Sequence, residues 1–180
     1  MKTYILAALG SLLLVPSSAF SCPDVQTDKV EQNRLYSELR AAPNEMYGRA
    51  IADQLWEIWI TAPDERSQEL MDAGRERIRV ADYERAEELF RQLIDYCPHY
   101  AEGWNQRAYV RFLRQDYGNA LDDIVAVLER EPRHFGALAG RAVTLISMGR
   151  VEVGNKALRK ALTIHPWLSE RHLLPSGEDI

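Results

Sequence analysis

Cysteine is almost missing: Cys22 and Cys97 are the only two in 180 residues. Neither has a second metal ligand at close spacing, which argues against a thiolate metal site. Histidine is nearly as rare, with His99, His134, His165 and His172 and no i, i+4 pair. A helical two-histidine metal site and the HExxH motif are therefore excluded. Basic excess is lacking too. Lys and Arg number 22 against 27 Asp and Glu, a net charge of -5, so the long-range pull that nucleic acid or anionic lipid would need is missing. The longest apolar run, Tyr4 to Val15, falls short of the roughly 20 residues that span a bilayer. No Ser-centred elbow and no phosphate-cradling glycine loop occurs, and Gly136 and Gly140 fall in a helix start. The chain thus offers no catalytic constellation, and neither a cofactor nor a metal is expected.

What is present suits one soluble domain: 46% of residues are hydrophobic and 27% charged. The first 21 residues read as a secretory signal peptide. Met1-Lys2 is a short basic start, the apolar run follows, Pro16 breaks it, and Ala19 and Ser21 place small residues before a cut at Cys22. A cut after Ala19 is the other choice. The mature protein is then exported, most simply to a periplasm, into an oxidising compartment where Cys22 and Cys97 can pair. Lipid on Cys22 is an alternative, although Ala19 and Phe20 stand where bacterial lipoprotein signals usually carry Leu and a small residue. A third is two free thiols, with Cys97 as a small buried residue.

From Ser67 to Leu168 the sequence keeps a step of 34 residues. Pro98, Pro132 and Pro166 obey it, as do Gly74, Ala108 and Ala142, and Ala86, Ala120 and Gly154. A fixed period of this length marks a solenoid. The units are 67–100, 101–134 and 135–168, each a helix, a turn and a second helix closed by the proline. The small residues allow the two helices to cross closely, and large apolar residues fill the space between hairpins. Carboxylate pairs such as Glu87-Glu88 and Asp122-Asp123 read as solvated faces.

Residues 22–66 carry another helical pair. The first helix, capped by Thr27 or Asp28, presents Val30, Leu35, Tyr36 and Leu39; the second presents Met46, Ala50, Ile51, Leu55, Ile58 and Trp59. Pro63 precedes Pro98 by 35 residues, so the pair is either a degenerate leading repeat slipped by one position or an unrelated cap. After Pro166, residues 169–180 supply a short helix capped by Ser169 and a tail. Trp167, Leu173 and Leu174 would leave apolar surface for a partner or a second copy.

Trp104, Ala108, Tyr117, Ala120, Ile124, Val127 and Pro132 resemble the tetratricopeptide repeat signature. The likeness covers 67–168 and weakly 29–65. It departs at the usual Leu of the first helix (Ala73, Arg107, Arg141) and at the usual Tyr (Arg77, Arg111, Leu145), which makes that layer more polar. The resemblance implies an all-α, right-handed α-α superhelix with a concave groove lined by first helices. It implies Gln68, Met71, Arg75, Ile78 and Arg79 from the first unit, Glu102, Asn105, Tyr109, Phe112 and Leu113 from the second, and a small apolar end around Gly136, Ala139 and Val143. The expected contacts for a peptide or partner helix are Met71, Arg75, Arg79, Asn105, Tyr109 and Phe112. The implied function is a non-catalytic adaptor or assembly factor. The alternatives are a module that oligomerises through its ends and an accessory subunit of an envelope enzyme.

Overall fold

Proline decides where the second helix of each hairpin stops. In the computed structural model, which describes residues 22–26 and 28–175, the chain forms eight α-helices and, among those residues, no strand. The proposed signal peptide, the Thr27 cap and the tail from 176 lie outside the described residues. The hairpins are α3 (Glu65–Arg79) with α4 (Tyr83–Tyr96), α5 (Ala101–Leu113) with α6 (Tyr117–Arg130), and α7 (Phe135–Ser147) with α8 (Val151–Leu162). After each second helix comes the same turn. Tyr100 N–H donates to the Cys97 carbonyl, His134 to Glu131 and Leu168 to His165, at 3.1, 3.0 and 3.3 Å. Pro98, Pro132 and Pro166 each sit inside that turn, where a missing N–H costs nothing.

Inside each hairpin the first helix ends in a Schellman motif. Asp82 N–H reaches the Arg77 carbonyl and Ala81 N–H the Ile78 carbonyl, both at 2.9 Å, and the pattern recurs at Gln115–Asp116 and Gly149–Arg150. The residue that turns the chain has positive φ every time: 58° at Ala81, 62° at Gln115, 78° at Gly149. Only the third copy uses the residue without a Cβ. Ala81→Gly and Gln115→Gly are each expected to stabilise by about 0.5–1 kcal/mol, because they relieve a left-handed L-residue at a solvated site. Urea unfolding checks this; a loss of stability in both would contradict it.

Close helix crossing depends on the small residues. A Cβ on Gly74 would lie 2.5 Å from the Phe90 ring, and one on Gly154 2.5 Å from Ile146 and 2.9 Å from the Ala142 carbonyl. Met71, Ala86, Phe90, Leu93 and Val110 fill the core between the first two units. Cys97 lies in the same core and is disulfide-bonded to Cys22.

The N-terminal pair is α1 (Lys29–Ala41), capped by Asp28, and α2 (Glu45–Ile60), capped by Asn44. It does not stack on α3 as a leading repeat would. Its buried residues Leu35, Tyr36, Leu39, Ala52, Leu55 and Trp59 share one core with Phe135, Leu138, Ala142, Leu158 and Leu162 of the last unit. α1 runs along the closing turns. Lys29 pairs with Glu131 at 3.1 Å, Tyr36 donates to the Arg133 carbonyl at 2.9 Å, and Ala42, just past the helix, accepts from Trp167 Nε1 at 3.2 Å. α2 returns over the first helices of the second and third units. Tyr100 donates to the Trp59 carbonyl at 2.7 Å as the chain nears α3. Burial pushes the Tyr36 and Tyr100 phenols far up, so both stay O–H donors. The α2 face also differs from the sequence expectation. Met46 and Ala50 are exposed, and Gly48 and Ala52 face inward with Leu55 and Trp59.

The end of the array changes in the same way. Ser169 does not cap a helix; Ser169–Leu173 is a 3-10 turn with no side-chain cap. Trp167 lies against Gly48, where a Cβ would come within 2.3 Å of its ring, and Leu174 packs on the shared core. The chain itself therefore covers part of Trp167 and Leu174, while Leu173, the third residue expected to face a partner or a second copy, is 37% exposed.

Candidate functional site

Small residues at one end of the inner wall receive large ones from α2. Gly136 opens α7, and a Cβ there would sit 2.5 Å from Trp56. Trp56 packs edge-on against Phe135 and against Trp59 at centroid distances of 5.6 and 5.3 Å. The small apolar end legible in the sequence is thus the seat of the chain's own tryptophan, and the concave wall is partly filled from within.

What remains open is a cleft of about 620 Å³ between α2 and the helices α5 and α7. Trp56, Tyr109, Phe112, Phe135, Val143 and Trp167 supply its aromatic and aliphatic walls. Glu45, Arg49, Asp53 and Glu170 are its ionised side chains. A site of this size with apolar walls and a few polar groups suits a small number of side chains rather than a long helix.

Of the six groove residues expected from sequence, Asn105, Tyr109 and Phe112 line this cleft. Met71 does not: it is fully buried under Phe90 and Leu93, because its helix turns that residue into the core between hairpins. Arg75 and Arg79 are exposed on α3 outside the cleft, and Arg79 forks onto Glu76 at 2.6 and 2.8 Å. The two arginines expected from the first unit are therefore absent from the cleft, whose lining carries three acids and one base.

Two of the four histidines, His134 and His165, are buried. His134 is 0% exposed and caps α7, its Nδ1 accepting from Ala137 N–H at 3.1 Å. That leaves Nε2–H to donate to Glu102 at 2.8 Å, a tautomer assigned from the bonding pattern. Asn105 and Gln106 donate to the same carboxylate, so the buried charge is met by three donors. The ring stacks on Trp59 at 3.8 Å. No local pattern marks His134, but its place one residue before a first helix is the signal: Tyr100 and Leu168 hold the same position one period away, and all three are buried.

His165 borders the cleft and is 5% exposed. Its Nδ1 accepts from Trp167 N–H at 3.3 Å, and its Nε2 has no protein partner among the described residues. Burial, aided by Arg171, pulls its pKa down to about 4 from the usual 6.5. The unfolded chain therefore binds the proton more readily below pH 6.5, and stability is lost as pH falls from about 6.5 toward 4. His165→Asn is expected to flatten this part of the stability profile by up to about 3 kcal/mol. The carboxylates act lower: Glu45, held below its usual range by Arg171, loses its contribution as pH falls through its folded value. Thermal melts of both proteins from pH 7 to 4 check the assignment; parallel curves would refute it.

The polar layer introduced by arginine is closed by acids. Arg107 forks onto Asp123 at 2.7 and 2.9 Å, and Arg111 joins it at 2.8 Å while bonding Glu87 at 2.9 Å. Asp123 is thus no solvated face; it is 2% exposed. No cluster of three or more potential metal ligands is found among the described residues, and no helix among them is long and apolar enough to cross a membrane.

No family model matches the chain. A TPR repeat-containing protein of Rhizobium etli is 30% identical over 160 residues, 89% of this chain and 76% of that one. Among solved structures, the Arabidopsis OM64 TPR domain aligns at TM-score 0.57 and 17% identity, over 59% of this chain and 93% of that domain. The TPR2B domain of yeast Sti1, in a complex with pHsp70, aligns at 0.54 and 19%, over 61% and 91%. The period, the repeated turns and the Rhizobium relative agree: the chain belongs to the TPR repeat-containing proteins.

Proposed function

We propose that this chain is an exported, non-catalytic interaction module that holds a short segment of a partner protein in the cleft between α2 and the inner helices. The observation that carries the reading is the cleft itself: about 620 Å³, walled by aromatic side chains that offer contact at low entropic cost. The yeast Sti1 domain, in its complex with pHsp70, lends support through the shared repeat fold. Export is supported by the Cys22–Cys97 disulfide, a bond that persists in oxidising compartments, and by the apolar N-terminal run.

The test places a photo-crosslinking amino acid at Tyr109, which is 49% exposed beside the cleft. It is repeated in a Gly140→Phe background. Gly140 lines the cleft and its Cβ would meet only Ile124, at 3.8 Å, so the ring can enter the open space without disturbing the backbone. The expected result is a crosslink mapped to one segment of one envelope protein, lost in Gly140→Phe at unchanged helicity. Crosslinks scattered over many proteins, or retained after plugging, would overturn the reading.

A further inference from the structure

The cleft's charge and the imidazole at its border together say what kind of segment it would take. Of its four ionised lining residues, Arg49 is bonded to Glu45 at 3.0 Å, and Glu45 also accepts from Arg171 at 2.8 Å. Asp53 and Glu170 have no cationic partner among the described residues. Asp53 is exposed, so the carboxylate lies at the rim, in water, and needs no partner to be stable. It remains available to a ligand at small desolvation cost. Deeper in, His165 is nine-tenths buried, has its Nδ1 engaged, and borders the cavity; its Nε2 bonds no protein group among the described residues and still reaches solvent. With Nδ1 accepting, Nε2 carries the proton and is a donor. Phe135 packs edge-on against its ring at 4.8 Å and offers no acceptor.

We infer that the occupant is a short cationic peptide segment, with a Lys or Arg side chain at Asp53 and Glu170, a neighbouring aliphatic or aromatic side chain on the Phe135–Val143 wall, and a backbone carbonyl accepting from His165. This rests on the capture reading above and adds the chemistry of the ligand. An acidic segment is disfavoured by like charge at the rim; a purely apolar one leaves the rim carboxylates unused and gains no long-range attraction in a chain of net charge -5. The volume admits two or three side chains, so specificity is carried by a pair of neighbouring residues rather than by an extended motif.

The test is selection from a random hexapeptide display library on the disulfide-bonded mature protein, with Gly140→Phe as the subtracting bait. The expected result is enrichment of Lys or Arg next to Phe, Leu or Trp. The most enriched peptide, made synthetically, should shift the fluorescence of Trp56 and Trp167 on binding. Its affinity should fall about tenfold in the Asp53→Lys, Glu170→Lys double variant and fall with added salt. His165→Asn should weaken it while leaving the salt dependence in place. Enriched peptides that are acidic or uncharged, or an affinity indifferent to charge reversal, would overturn this inference and leave the capture reading standing. No enrichment over Gly140→Phe would overturn both.

Discussion

Breaking the Cys22–Cys97 bond is expected to lower the melting temperature by about 10–15 °C. The bond joins residues 75 apart. In the chain-entropy account, releasing a loop of that length costs roughly 4 kcal/mol, and for a domain of this size each kcal/mol is worth about 3 °C. The loop also has a structural meaning. It starts at the lead-in before α1, passes through α1, α2 and α3, and closes at the end of α4. Meanwhile α1 and α2 pack on the third unit, so the bond ties the first hairpin to a segment docked on the last one. Cys22→Ser is the cleaner variant, because Cys97 is 1% exposed and its side chain also fills core space beside Met71 and Phe90. The melting temperature of Cys22→Ser should match that of the wild type in reductant. If reductant leaves the wild-type melt where it was, the bond does not stabilise the fold as described.

Asp123→Ala should cost about 3–5 kcal/mol in urea unfolding. The carboxylate side chain is 3% exposed and serves two guanidinium groups that are themselves only 12% and 18% exposed. Removing it strands Arg107 in a place with no other acid bonded to it and leaves Arg111 with Glu87 alone. An uncompensated buried charge is what makes such losses large. The companion experiment removes the whole group. Arg107→Leu, Arg111→Tyr and Asp123→Leu together remove it, the first two restoring the Leu and Tyr usual at those places in the tetratricopeptide pattern. Glu87 keeps Arg114. That triple variant is expected to be neutral or more stable by about 1 kcal/mol, because paired buried charges barely recover their desolvation cost. A loss under 1 kcal/mol for Asp123→Ala, or a triple variant as unstable as the single one, would show that these residues are solvated after all.

The arginine departures also show how far a sequence can be read alone. At each position, Arg against the usual Leu or Tyr signals only a more polar layer. The acid that answers it, Asp123, comes from the partner helix of the same hairpin, and Glu87 from the preceding one. In the first and third units the residues at the Asp123 position are Leu89 and Ala157, so that acid is present in the second unit only, and Arg77 of the first unit pairs with Asp82 at 3.7 Å. Read along the chain, Asp122-Asp123 looks like any exposed acidic pair. Which of the two turns inward depends on the helix crossing.

Local chemistry determined most of the architecture. Prolines 34 apart stop the second helices, small residues at the same step set the crossings, and both act through backbone sterics that a few neighbours decide. Half of the expected groove set reached the cleft for the same reason: Asn105, Tyr109 and Phe112 follow from helix phase. Tertiary structure alone decided where α1 and α2 lie. Their apolar stripe would suit either the face of α3 or the inner wall of the later units, since a stripe of Leu and Trp carries no address. The choice is made by fit between residues about 80 to 125 apart, Trp56 on Gly136 and Trp167 on Gly48, and by polar ties such as Tyr36 to Arg133. Those contacts have no local period. They convert an open groove into a cleft lined by three acids and one base.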